Sequence, residues 1–231
     1  MTLPLNKVYM MDCLEGMREI EDKSIDLVIT DPPYGIGEAA GKNKSRGGVC
    51  FKNIGGSKNY VGPRDYGNLE WDNKPPTAEY FAEIMRISKN QIIFGGNFFD
   101  LPPSPCWIVW DKDNGCNDFS DCELAWTSFK TAVRKFTWRW NGLLQEDMAH
   151  KEIRCHPTQK PVPLFEWIIG KYAKEGDTIC DPFFGSGSCL VAAVRMGHQF
   201  IGFEKEQSYY DAASIRIKKA QEQGKISGWF E

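Results

Sequence analysis

Thr178-Ile-Cys-Asp-Pro-Phe-Phe-Gly-Ser-Gly187 is a short apolar run that reaches an acidic residue and passes into a glycine-rich turn. The spacing predicts a helix over Ser188 to Met196 and a strand over Gln199 to Phe203, with Glu204 at its end. Strand, glycine-rich turn, helix and strand form the nucleoside-binding half of a Rossmann-like unit. Gly185 and Gly187 permit positive φ and close approach of the backbone. A carboxylate about twenty residues on can accept hydrogen bonds from both ribose hydroxyls, which makes Glu204 the candidate. A glycine-rich turn alone would equally serve a dinucleotide. Here the spacing is GxG without a third glycine, and Asp181 stands where a carboxylate would repel a pyrophosphate.

Far upstream, Ile25-Asp-Leu-Val-Ile-Thr30 is a compact apolar run of the kind buried in parallel sheets, and Asp31-Pro-Pro-Tyr34 follows it. Asp31 therefore falls at the carboxyl end of a strand, the edge where open α/β sheets bind ligands. Such a motif suits an exocyclic amine on a planar ring, whose lone pair is delocalised and must be localised on nitrogen before it can attack. The Asp31 carboxylate and the Pro32 carbonyl can accept the two amine hydrogens and favour the positive charge that develops. Pro32 and Pro33 supply no competing N–H and stiffen the backbone. Tyr34 offers a face on which a base can stack.

The two strand ends, in this order, resemble the target-amine and cofactor motifs of the amino-group DNA methyltransferases of the β order, a resemblance that covers most of the chain. It implies a Rossmann-like α/β fold with a mainly parallel sheet, helices on both faces and a permuted motif order, and S-adenosylmethionine as cofactor. It further implies methyl transfer to adenine N6 in double-stranded DNA, with the target nucleotide flipped from the stack. A strand-end aspartate is usual for adenine N6 and a serine for cytosine N4, so cytosine is the runner-up. The resemblance places Asp181 near the positively charged methionine portion, with Phe183 and Ser188 on the same turn. Asp12-Cys13 match the pair that reads the cofactor adenine, with helix capping by Asp12 as the alternative. His156-Pro-Thr-Gln-Lys-Pro161 matches a segment that puts Thr158 and Lys160 near the methionine carboxylate. No metal is implied, and His156 has no cluster of ligands around it in the sequence.

Composition sets the frame. With 231 residues, 42% of them hydrophobic, one domain spanning 1–231 is expected. No apolar stretch approaches the roughly 20 residues that span a bilayer, and Met1-Thr-Leu-Pro-Leu-Asn6 lacks the pattern of a signal peptide, so a cytoplasmic protein is expected. The eight cysteines include no CxxC pair and read as reduced, mostly buried thiols. A net charge of −3 conceals two basic segments, 35–65 at +4 and 130–154 at +3, which leaves −10 elsewhere. Phosphate contacts would be confined to those segments.

The 35–74 stretch, with eight glycines by residue 65, reads as a mobile DNA-contacting loop. The interval 136–155, between the motifs, is left as a short target-recognition segment that a second subunit of a homodimer could complete. Phe98, Phe99, Trp138 and Trp140 are candidates for stacking, with core packing as the alternative. Further strands are expected at Val8–Met11, Gln91–Phe94, Trp107–Trp110, Glu123–Trp126 and Val133–Trp138, and further helices at Cys13–Ile20, from Thr77, at Pro163–Ala173 and at Gln207–Gln223. Competing classes are a nicotinamide-linked oxidoreductase, a catalytically dead nucleic-acid-binding protein, and a methyltransferase acting on RNA or protein amines.

Overall fold

A computed structural model of the chain describes residues 3–36, 72, 74–114, 120–141 and 144–227. Most of the segment expected to be a DNA-contacting loop, 35–74, lies outside the described residues. Among the described residues, ten strands and five α-helices follow in the order β1 (Lys7–Met10), α1 (Cys13–Arg18), β2 (Ile25–Thr30), α2 (Ala78–Ile87), β3 (Ser88–Phe94), β4 (Trp107–Asp111), β5 (Cys122–Thr127), β6 (Arg134–Thr137), β7 (Trp140–Asn141), β8 (Leu144–Gln145), α3 (Val162–Tyr172), β9 (Thr178–Asp181), α4 (Ser188–Arg195), β10 (Gln199–Glu204) and α5 (Gln207–Ser227).

Eight of the strands form one sheet in the order β1-β10-β9-β2-β3-β5-β4-β6. All neighbours pair in parallel except β5, which runs antiparallel to both β3 and β4. The central strands are buried on both faces, which is why Ile25–Thr30 and Thr178–Asp181 are near-continuous apolar runs rather than alternating ones. Leu27, Ile29, Ile92 and Phe94 point to one face and pack with Leu164, Phe165 and Ile168 of α3 and Leu190 and Val191 of α4. Val28, Ile93, Cys180 and Ile201 point to the other, against Met17 of α1 and Ile84 and Ile87 of α2. Each helix thus covers apolar side chains that the two-residue strand period delivers to its face.

Local chemistry sets the ends of these elements. Asp12 caps α1, accepting from the Leu14 N–H at 2.8 Å. Pro163 sits in the first turn of α3, where its missing N–H costs no helical bond. Gly187, at φ 74°, makes the left-handed entry to α4.

Several boundaries differ from the sequence expectation. β3 begins at Ser88, directly where α2 stops, because Ser88, Lys89 and Asn90 join the ladder despite their polarity. Val133 lies outside β6 and is 53% exposed. The β7–β8 hairpin has two residues per strand, too short for a periodic signal. Trp140 is core: it is buried, and its Nε1–H donates to the Gln159 carbonyl at 2.8 Å. Cys13, Cys106, Cys180 and Cys189 are buried free thiols, Cys155 is partly buried and Cys122 exposed.

Candidate active site

Because β1, β10, β9 and β2 are adjacent and parallel, their carboxyl ends bring Asp12, Glu204, Asp181 and Asp31 to one edge of the sheet. The two motifs are joined across the β9–β2 boundary, where the Thr30 hydroxyl donates to Asp181 Oδ1 at 2.8 Å. Asp181 also accepts from the Phe183 N–H at 3.2 Å. Burial pushes its carboxyl up to about 7, against these two bonds and with Asp31 and Glu204 adding to the rise.

The glycine turn folds back on the neighbouring strand. Gly185 N–H donates to Glu204 Oε2 at 3.0 Å and Glu206 N–H to Glu204 Oε1 at 2.8 Å, so the carboxylate is held rigidly beside the turn. Gly185 is at φ 46°, in the left-handed region that favours glycine. Ser188 is buried, 3.1 Å from the Ser186 hydroxyl and 3.3 Å from Arg216 Nη1. Phe183 is partly buried, its ring 5.9 Å from that of Tyr80. Asp12, besides capping α1, accepts from the Tyr80 hydroxyl at 3.0 Å. The capping alternative is therefore realised, and Tyr80 of α2 joins the edge through its hydroxyl. Cys13 is buried under it.

At the other strand end Asp31 is partly buried, with Pro32 buried behind it and Pro33 partly so. Tyr34 donates to Asp31 Oδ1 at 2.6 Å. Room for the Tyr34 ring comes from Gly95, where a Cβ would lie 2.2 Å from it. Phe98 stacks on Tyr34, centroids 4.9 Å apart with planes at 13°, and is 48% exposed. Phe99 meets the Tyr34 ring edge-on at 6.1 Å and packs on Phe81 at 4.8 Å.

The His156–Pro161 segment reaches the same edge of the sheet through Lys160. Thr158 is engaged with the ring it follows: its N–H donates to His156 Nδ1 at 3.3 Å and its hydroxyl lies 3.1 Å from the same atom. Burial, reinforced by the cations of Lys160 and Arg154, lowers His156 to about 3, so the ring is neutral at pH 7. Lys160 bonds Asp31 Oδ2 and lies 2.9 Å from Glu123 Oε2. Glu123 was read only as part of a strand. It reaches this edge because β5 runs antiparallel, so its start lies where its neighbours end. Burial alone would lift Glu123, but Lys160 and Lys112, the latter at 2.6 Å, bring it down to about 2. Among the described residues no group of His, Cys, Asp and Glu could hold a metal ion.

The permuted, mainly parallel sheet with a glycine-rich turn at one strand end and Asp-Pro-Pro-Tyr at its neighbour has the S-adenosylmethionine-dependent methyltransferase fold. PvuII DNA methyltransferase (cytosine-N4-specific) aligns over 96% of this chain and 93% of its own, with a TM-score of 0.57 at 16% identity. The M1.HpyAVI–SAM complex aligns over 91% and 98%, with a TM-score of 0.51 at 23% identity. Residues 111–215 match the family model described as DNA methylase. The type II methyltransferase M.HinfI of Haemophilus influenzae is 26% identical across 93% of this chain and 69% of its own length. M2.MboI of Moraxella bovis, likewise a type II methyltransferase, is 26% identical across 90% and 86%. Over residues 111–215 the chain is thus similar to the N6/N4 DNA methylases, and over most of its length to type II methyltransferases.

Proposed function

We propose that the chain transfers a methyl group from S-adenosylmethionine to the N6 amine of adenine in DNA, flipping the target nucleotide out of the duplex to reach it. The observation that carries this reading is the placement of Asp31 beside Asp181 on one sheet edge, bridged through Thr30 at 2.8 Å. It sets a hydrogen-bond acceptor for an amine next to a buried carboxylate that suits a cation.

The residues fit the cofactor. Ionising the buried Asp181 carboxyl is costly until a positive group lies beside it. Glu204 is pinned by two backbone N–H groups, and its carboxylate oxygens keep lone pairs for ribose hydroxyls. Gly185 leaves the turn open, since a Cβ there would meet nothing nearer than His156 at 3.4 Å. Asp12 and Phe183, with Tyr80, are placed to border the adenine. S-Adenosylmethionine supplies a methyl already activated on a sulfonium.

This chain's own residues then act on the amine. The Asp31 carboxylate and the Pro32 carbonyl accept its two hydrogens and draw the lone pair out of the ring. With the cofactor held by Asp12, Asp181 and Glu204, its sulfonium would supply the methyl group to this nitrogen, which would give up one of its two hydrogens as a proton. Tyr34 orients Asp31 through its hydroxyl and presents its ring to the base. Alignment for in-line transfer contributes much of the acceleration. Residues 35–74 and 136–155 are the segments proposed to contact DNA.

Transfer of a labelled methyl group to DNA, run beside calorimetric cofactor binding, tests this division. Asp31→Ala is expected to lower transfer by about a hundredfold or more while cofactor affinity is retained. Equal loss of both in this variant would refute the assignment of Asp31 to the amine.

A further inference from the structure

Lys160 is buried between two carboxylates from different parts of the sheet. Its side chain is 4% exposed, and its ammonium bonds Asp31 at the end of β2 and Glu123 at the start of β5. It also lies 4.8 Å from the centroid of the Phe94 ring. Tyr34 fills the other Asp31 oxygen. Both oxygens of the group that must receive the target amine therefore already hold a donor. An ammonium touching that carboxylate also repels the positive charge that develops on the attacking nitrogen, most strongly in a site shielded from water. The cation has to withdraw, and Glu123 is already within bonding distance of it. Glu123 is itself held from behind by Lys112.

We propose that Lys160 closes the target-amine position until the amine enters, and that Glu123 is the positioning residue that draws the ammonium off Asp31. The proposal rests on Asp31 as the amine acceptor. Entry of the amine exchanges one donor on Asp31 for another: Lys160 keeps its ion pair with Glu123, and the Asp31 carboxylate, still hydrogen-bonded by Tyr34, is left to meet the positive charge that develops on the attacking nitrogen. The antiparallel direction of β5 makes this possible, because only a strand entering the sheet at this edge begins with its side chains at the site.

The charged and titratable groups facing Asp31 are Tyr34, Lys160, Glu123 with Lys112 behind it, and Asp181 on β9; Asp72, bonded to the Gly35 N–H, faces Tyr34. Burial raises the Asp31 carboxyl; Lys160 opposes that rise and Glu123 adds to it. Asp31 acts ionised, so activity is lost as pH falls through its titration. Removing Lys160 moves that loss to higher pH, and removing the Glu123 charge moves it to lower pH.

The test measures kcat, and kcat/KM against pH, for methyl transfer to DNA by Glu123→Gln, Glu123→Asp and Lys160→Met, with cofactor binding as the check on folding. In Glu123→Gln, Asp31 is the one carboxylate left to Lys160; kcat is expected to fall about tenfold while the acid limb shifts down. Lys160→Met is expected to shift the acid limb up. Glu123→Asp keeps the charge and is expected to recover kcat to within about threefold of the unaltered protein. Acid limbs that stay in place, or move the same way in both charge-removing variants, would overturn the proposal, as would an unchanged kcat in Glu123→Gln. Should Glu123→Gln fail to fold, an upward limb in Lys160→Met with recovery in Glu123→Asp sustains it, and the absence of either overturns it. Full activity in Asp31→Ala would instead remove the reading on which it rests.

Discussion

Asp181 joins the two halves of the site and gives the cofactor reading a consequence in protons. Its carboxyl is raised to about 7, chiefly by burial. A raised carboxyl contributes stability that is fully present below its ordinary value and is lost as pH rises through about 7, so this residue destabilises the free protein from the acid side toward neutrality. A cationic ligand beside it favours the ionised form. S-Adenosylmethionine is therefore expected to bind more tightly as pH rises through 7 and to release a proton on binding, measured by calorimetry at pH 7 in two buffers of different ionisation enthalpy. Proton uptake, or none, would contradict the contact. Asp31 and Asp181 were legible because each stands in a contiguous motif whose chemistry can be read along the chain. The partnership of Lys160 with Glu123 was not, since it joins a loop to the start of a distant strand and nothing in either stretch names the other. The motif singled out Lys160, but its ion pairs with Asp31 and Glu123 appear only once the sheet is assembled.

Among the elements, β10 shows how the sheet receives the cofactor turn. At Gly202 a Cβ would lie 2.5 Å from Leu190 Cδ1, 2.9 Å from Phe184 Cδ1 and 3.2 Å from the Asp181 carbonyl. The glycine lets both α4 and the turn settle onto the strand. Gly202→Val is expected to cost about 1–3 kcal/mol by overpacking. The denaturant midpoint should fall with the slope preserved, and an unchanged midpoint would contradict this packing. β2 and β9 could be delimited from sequence because strands buried on both faces are written as unbroken apolar runs. Direction is a different matter. Glu123-Leu-Ala-Trp126 looks the same whichever way it pairs, and its antiparallel insertion between β3 and β4 is set by neighbours outside it. That direction is what carries Glu123 to the site.

For the molecule as a whole, one eight-stranded sheet gathers the motifs at its carboxyl edge, and none of the helices in the described residues is long and apolar enough to cross a membrane. The net charge of −3 leaves nucleic-acid contact to local patches. In the 130–154 segment, Lys135 pairs with Asp111 at 3.1 Å and Arg139 pairs with Asp113, all on the surface, where such pairs are weak and readily exchanged for phosphates. The reaction was legible in two strand ends; the sequence of DNA it acts on was not, because the proposed recognition segments are short or glycine-rich and have no periodicity to read. Methylating DNA with the purified protein and labelled S-adenosylmethionine, then digesting it to nucleosides and separating them, shows which amine receives the methyl group: transfer to adenine N6 puts the label in N6-methyldeoxyadenosine, and label in N4-methyldeoxycytidine, or none in DNA, would contradict it.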